Sequence, residues 1–279
     1  MGAPEGVASR AEIAGIVAQE SAETLVGSAA GRRVTTVRRL LRPVAHLVAR
    51  RFVEYDCALG DRGPHRGAEW VVARATGGLA VTGAEHIPST GAVLVVANHP
   101  GLADAVSLLA SMRRDDAWIV TANYPFLRAM RSASRRFLVV DDRCTALRHI
   151  ARRLRAGDAV LLFPAGGLEP DPATSLTAAQ ESLASWSRSI ELIARLAPQT
   201  QIVPAVVHGA VSRAAFDHRL ARRRAPARER QRFASLLQLA LPGYQRELIS
   251  VSFGAAISAS SAGVQDSVMA AMTGLMGTV

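Results

Sequence analysis

Lysine is absent from this chain of 279 residues, so all 33 basic side chains are arginine, a bias that fits a GC-rich coding sequence. Against 23 acidic residues they leave a net charge of +10, which favours anionic partners: phosphorylated substrates, acidic lipid surfaces or nucleic acid. Aromatic residues are only 5% of the chain and do not interleave with a basic stripe. The stacking platform of a single-strand binder is therefore missing, and nucleic acid is not an expected partner. Cys57 and Cys144 are the only cysteines. Their spacing supports neither a disulfide framework nor a zinc site, and it suits a reducing, cytoplasmic compartment. No metal is expected. The longest apolar runs, residues 92–97 and 159–163, fall far short of the roughly 20 residues of a membrane span. Residues 1–20 lack a basic start followed by an apolar core, so no secretory signal is read there.

What is present is an ordinary globular composition, 49% hydrophobic and 20% charged, enough to bury a sizeable core. Residues 9–26 and 34–53 read as helices. In the second, Val34, Val37, Leu40, Leu41, Val44, Leu47 and Val48 recur at three-to-four spacing opposite Arg38, Arg39, Arg42 and Arg50. That pattern suits a core-packing helix or one lying on an anionic bilayer. Residues 60–67 read as a polar, Gly/Pro-punctuated break, and Gly77-Gly78 ends the next helix. The expected organisation is an N-terminal helical segment, 1–75, and an α/β domain, 76–279. In the latter, strands at 79–82, 92–97, 117–122, 137–140, 159–163, 202–207 and 248–253 alternate with helices at 104–113, 124–133, 144–155, 174–196, 229–241 and 262–276. Such alternation predicts an α/β fold with a mixed, largely parallel central sheet covered by helices on both faces. The arginine run at 219–232 reads as a solvated loop and helix start.

Two strand ends carry chemistry. The first runs into Asn98-His99-Pro100-Gly101, with Asp104 five positions after the histidine. A histidine on a strand-ending turn, with a carboxylate able to reach its ring, is the arrangement of a general base and its orienting partner. The second is Phe163-Pro164-Ala165-Gly166-Gly167, where glycines allow close backbone approach and free amides can hold an oxyanion. Gly101 and Gly166-Gly167 are the expected oxyanion donors. Cys144 is read as a buried, inert thiol, and His208 as a turn histidine. Arg128 and Arg131 are read as solvated helix residues.

In order, Asn98-His99…Asp104, the strand Phe137-Leu138-Val139-Val140 leading to Arg143, Phe163-Pro164-Ala165-Gly166 and Ile202-Val203-Pro204 resemble the blocks of the glycerolipid acyltransferases. The likeness spans about residues 79–210. It implies transfer of a fatty acyl group from an acyl-CoA or acyl-carrier-protein thioester to a hydroxyl of a glycerolipid or lysophospholipid. No cofactor is implied, the thioester being a co-substrate. By the resemblance His99 is the base and Asp104 its orienter, while Asn98, Arg143, Phe163, Pro164, Gly166, Gly167 and Glu169 contribute to substrate binding. It also implies work on the inner face of the cell membrane, as a peripheral cytoplasmic protein on an anionic surface. The sequence departs from the family pattern at Ala165, where a glutamate is usual, and at Leu168, where an arginine is usual. Glu169 is the nearest substitute carboxylate. These departures leave the acceptor open between a phosphate-bearing lipid and an amino-lipid or glycolipid, with a non-catalytic lipid-binding protein as a further alternative.

Overall fold

A computed structural model of the chain describes residues 9–26, 31–224, 227–244 and 247–278. Three helices come first: α1 (Arg10–Val26), α2 (Arg32–Arg62) and α3 (Pro64–Ala75). Eight strands follow: β1 (Leu79–Thr82), β2 (Val93–Ala97), β3 (Trp118–Ala122), β4 (Phe137–Val140), β5 (Ala159–Leu162), β6 (Gln201–His208), β7 (Ile249–Phe253) and β8 (Ile257–Ser258). Between and after them lie α4 (Asp104–Met112), α5 (Pro125–Ala129), α6 (Arg143–Arg155), α7 (Leu176–Ser182) and α8 (Ser189–Leu196). The remainder are α9 (Arg213–Phe216), α10 (Arg219–Arg222), α11 (Ala227–Ala240) and α12 (Val264–Gly277).

All eight strands form one sheet in the order β1-β7-β6-β2-β5-β3-β4, with β8 beside β6. From β6 to β4 every neighbouring pair is parallel; β7 and β8 run antiparallel to β6, and β1 is parallel to β7. The mixed, largely parallel sheet read from the alternation is therefore present. Pro204 lies within β6, where its missing N–H ought to break a ladder. The antiparallel side of β6 is shared between β8, at Gln201 and Ile202, and β7, from Ala205 onward. Pro204 falls at the seam, where its carbonyl accepts from Gly254 N–H at 2.9 Å.

β2 is buried at all five positions, as expected of a strand covered on both faces. Val93, Val95 and Ala97 join Ala68 and Val72 of α3 and Leu108, Leu109 and Met112 of α4. Leu94 and Val96 point the other way, to Ile150 and Leu154 of α6, Ile190 and Ile193 of α8, and Val268 and Met272 of α12. A separate cluster joins Ile13, Ala14, Val17 and Ala18 of α1 to Ala45, Val48 and Ala49 of α2. Among the described residues no helix is long and apolar enough to cross a membrane.

Local structure departs from the sequence reading in four places. The helix expected over 124–133 is the short α5, which ends at Ala129 and leaves Arg131 outside it. The break expected over 60–67 shrinks to one residue, Gly63. Its φ of +80° ends α2, and Pro64, which needs no N–H partner in a first turn, opens α3 at once. The single helix expected over 174–196 is two helices joined by a 3₁₀ turn at Leu183–Ser185. There Ser182 and Trp186 turn their side chains to Glu169, and Ser187 N–H reaches Pro164 O. The apolar stripe of α2 also divides. Val34 and Val48 are buried, whereas Leu40 is 73% exposed and Val44 and Leu47 are exposed beside it.

Candidate active site

Because β2, β5 and β6 are parallel neighbours, their carboxyl ends meet at one edge of the sheet, where such folds bind ligands. There β2 runs into the His99 turn and β5 into the Phe163 turn, while β6 ends at His208. Asp104, first residue of α4 and fully buried, places Oδ2 2.8 Å from His99 Nδ1. The same oxygen accepts from Gly101 N–H at 2.9 Å, and Oδ1 accepts from Ala105 N–H at 2.6 Å. The carboxylate thus orients the ring and holds the turn that carries it. Nδ1 bonded in this way fixes a tautomer in which Nδ1 carries the proton and Nε2 is the free base. Phe163 stacks on the ring, centroids 4.5 Å apart, and the His99 side chain remains 26% exposed.

Burial depresses the imidazole pKa, but the charge and hydrogen bond of Asp104, helped by Glu169, outweigh it. The net direction is upward from the ordinary 6.5. The ring therefore stays protonated to higher pH than a free imidazole, and in its neutral form it is the stronger base.

Glu169 grips the same turn from the other side. Its Oε2 accepts from His99 N–H at 3.0 Å, and Oε1 accepts from Trp186 Nε1 at 2.7 Å and Ser182 Oγ at 3.0 Å. In return, Glu169 N–H donates to His99 O at 2.8 Å. Burial pushes the Glu169 pKa up, and these donors pull it back only in part. With both oxygens occupied, Glu169 positions the catalytic turn instead of holding an acceptor, which corrects its reading as a substrate ligand. Asp171, two residues on, is fully buried and accepts from the amides of Ala173, Gly209 and Val211.

Asn98 is likewise corrected. It is fully buried; Nδ2 donates to Val207 O at 2.9 Å, and Oδ1 accepts from Val207 N–H at 2.8 Å. The side chain extends the β2–β6 pairing one residue beyond the strand and presents nothing to a ligand. Gly101 and Gly166 are lost as oxyanion donors, because their amides go to Asp104 and Phe163 O. Among the described residues no acceptor takes the Gly167 amide, which stays available. Pro164 is buried and accepts from Ser187. Arg143 opens α6, exposed, at the carboxyl edge of the sheet. It lies three strand spacings from β2, about 14 Å along the edge, so the structure does not bring it beside His99. Cys144 is exposed, not buried, as are Arg128 and Arg131. His208 is half-buried, and burial lowers its pKa against the pull of Asp171.

The sequence reading expected a helix at 229–241, which is α11, but gave it no part in the site. Gln231, buried on that helix, donates from Nε2 to Pro100 O at 2.6 Å and to Glu169 O, and its Oε1 accepts from Asp171 N–H. Arg228, one turn earlier, lies so close to Gly167 that a Cβ there would collide with its guanidinium. With Ala165, Leu168, Glu169, Ser182 and Ser185 it lines a cavity of about 160 Å³. A larger groove of about 450 Å³ between α3, β1 and α4 touches none of these residues. No spacing in the sequence could have announced Gln231, which reaches the turn from 131 positions away.

A histidine base oriented by a buried acid, with a free amide beside an open cavity, can deprotonate a hydroxyl and steady the oxyanion of an acyl transfer. The family comparison agrees with that class. Residues 78–208, from the lead-in to β1 through the end of β6, match the family model described as Acyltransferase. Through this segment the chain is similar to the acyltransferase family, and the match supports an enzyme that transfers acyl groups. Its structure is similar to that of a 1-acyl-sn-glycerophosphate (LPA) acyltransferase, PlsC, from Thermotoga maritima. The TM-score is 0.47 and the identity 11%, over 95% of this chain and 90% of that one. No curated protein sequence matches the chain.

The geometry sets the expected effect of Asp104→Asn. An amide can donate to Nδ1, which reverses the tautomer and puts the proton on Nε2. Acyl-transfer kcat/KM should fall by roughly 10²–10⁴, with thermal unfolding monitored in parallel to confirm a folded variant. A variant within threefold of wild type would contradict the assigned geometry.

Proposed function

We propose that the protein transfers a fatty acyl group from a CoA or acyl-carrier-protein thioester to a hydroxyl of a glycerolipid or lysophospholipid. The observation that carries the proposal is the 2.8 Å contact between His99 Nδ1 and the buried Asp104, in a segment that matches the Acyltransferase family model. The acceptor hydroxyl donates to His99 Nε2, which takes the proton as oxygen attacks the thioester carbonyl. Asp104 stabilises the imidazolium without taking the proton itself. The tetrahedral oxyanion receives the Gly167 amide. On collapse the C–S bond breaks, and the imidazolium returns its proton to the departing thiolate. Acceptor and donor meet in one complex, with no acyl-enzyme.

Membrane attachment is the second part of the reading. The acceptor is a lipid, and α2 presents Leu40, Val44 and Leu47 on one exposed stripe of a helix rich in arginine. An amphipathic helix of that kind rests on an anionic bilayer by combining apolar burial with charge attraction. The protein thereby works from the cytoplasmic side as a peripheral protein of the cell membrane.

Thiol release from acyl-CoA and from acyl-carrier protein, measured across lysolipid and glycerol-phosphate acceptors, tests the reaction. Turnover should require an acceptor and should drop roughly 10²–10⁴-fold in His99→Ala. Acceptor-independent release, or a rate unchanged in His99→Ala, would refute it. For the membrane, cosedimentation with vesicles containing anionic phospholipid should weaken at least about a hundredfold in Leu40→Asp/Leu47→Asp, given about 1.5–3 kcal/mol per buried leucine side chain. Equal sedimentation of the double variant would rule out this stripe as the contact.

A further inference from the structure

We infer that Arg228, from a helix outside the family-matched segment, is the specificity-determining residue that binds a substrate phosphate beside His99. The inference rests on the acyl-transfer reading above and deepens it. Four observations lead to it.

First, the guanidinium lies against the site, although Arg228 as a residue is exposed. It packs on Gly167, the residue whose amide is free for the oxyanion, in space that any side chain at 167 would close. Second, the helix that carries it is tied to the catalytic turn. Gln231, three residues on, bonds Pro100 O, Glu169 O and Asp171 N–H, so α11 cannot drift from the His99 turn without breaking buried hydrogen bonds. Third, Arg228 closes one side of the 160 Å³ cavity, whose remaining walls include Ala165, Leu168, Ser182 and Ser185. The two serine hydroxyls already donate to Glu169 Oε1 and Ser182 O, Ala165 and Leu168 are apolar, and Glu169 lies in the same wall, so the guanidinium is the cation of that cavity. Fourth, its charge is uncompensated locally. Among the described residues no carboxylate lies within ion-pair distance of it, and the nearby Glu169 spends both oxygens on His99, Ser182 and Trp186.

A guanidinium without a partner, beside a reacting centre, matches a phosphate, which it grips with two parallel N–H···O bonds. The same charge is felt at His99, where it opposes Asp104 and Glu169 by favouring the neutral ring. A bound phosphate would cancel that effect and leave the ring more basic when substrate is present. Leu168, on the loop after β5, lies in the same cavity wall and carries no charge. The cation reaches the cavity from α11 instead of from the β5 turn.

Phosphate can come from two sources, the acceptor headgroup or the phosphorylated arm of the thioester donor. Calorimetric titration of the full chain separates them, using 1-acyl-glycerol 3-phosphate against monoacylglycerol and coenzyme A against pantetheine. In Arg228→Ala the preference for 1-acyl-glycerol 3-phosphate over monoacylglycerol should fall at least tenfold, with the coenzyme A preference kept. Loss of the coenzyme A preference alone would also support phosphate binding and assign it to the donor. Gly167→Ala, which pushes the guanidinium aside, should move the same ratio in the same direction. The inference is overturned if neither ratio changes by more than twofold in Arg228→Ala, or if phosphate-bearing and phosphate-free ligands weaken equally. Binding is read without turnover, so a chain that binds phosphate but transfers no acyl group would sink the proposed reaction and leave this inference standing.

Discussion

The grip of two buried carboxylates on the His99 turn is the interaction on which the rest of the site depends. Asp104 holds the ring nitrogen and the Gly101 amide; Glu169 holds the amide of His99 itself. A third, Asp171, fastens the loop after β5 to the loop after β6. Burying an ionised carboxylate is costly unless donors replace its water. Each of these acids has three donors, most of them backbone amides that cannot swing away. The apolar core sets the ends of β2, β5 and β6 side by side, and the acids convert that proximity into a rigid site.

That arrangement gives the acids different duties. Asp104 faces the ring and tunes its basicity, whereas Glu169 faces the backbone and also reaches into the segment between α7 and α8. The break between those helices is thus part of the site, since Ser182 and Trp186 both turn toward Glu169. α11 adds a second tier. Gln231 locks across the turn, and Arg228 brings positive charge to a cavity otherwise framed by Glu169, small hydroxyls and apolar side chains. The apolar stripe of α2 lies in the N-terminal helical layer, so the proposed lipid contact and the proposed acyl chemistry fall in different layers of one molecule.

Much of this was legible in the sequence where the signal is local. The strand before Asn98 and the five-residue interval to Asp104 give the base and its partner, because a tight turn and a first helical turn leave few ways to arrange them. The alternation of apolar runs gives the sheet. Long-range hydrogen bonds were not legible. Asn98 read as a ligand until Val207, 109 positions away, was seen to take both ends of its amide. Glu169 read as a substrate ligand because nothing local shows that His99 N–H is its partner. Arg228 and Gln231 sit in an arginine-rich run whose composition matches a solvated surface. Only the fold shows which of its side chains turn inward.

The central claim is that His99 is a base whose proton affinity and tautomer are set by Asp104. Nitrogen-15 NMR of the His99 ring across a pH titration tests it most directly. The account predicts a midpoint above 6.5 and, at high pH, a neutral ring with its proton on Nδ1. It also predicts that the midpoint moves down in Asp104→Asn, where burial acts without the compensating charge. A midpoint below 6.5 in the wild type, or a neutral ring protonated on Nε2, would contradict it.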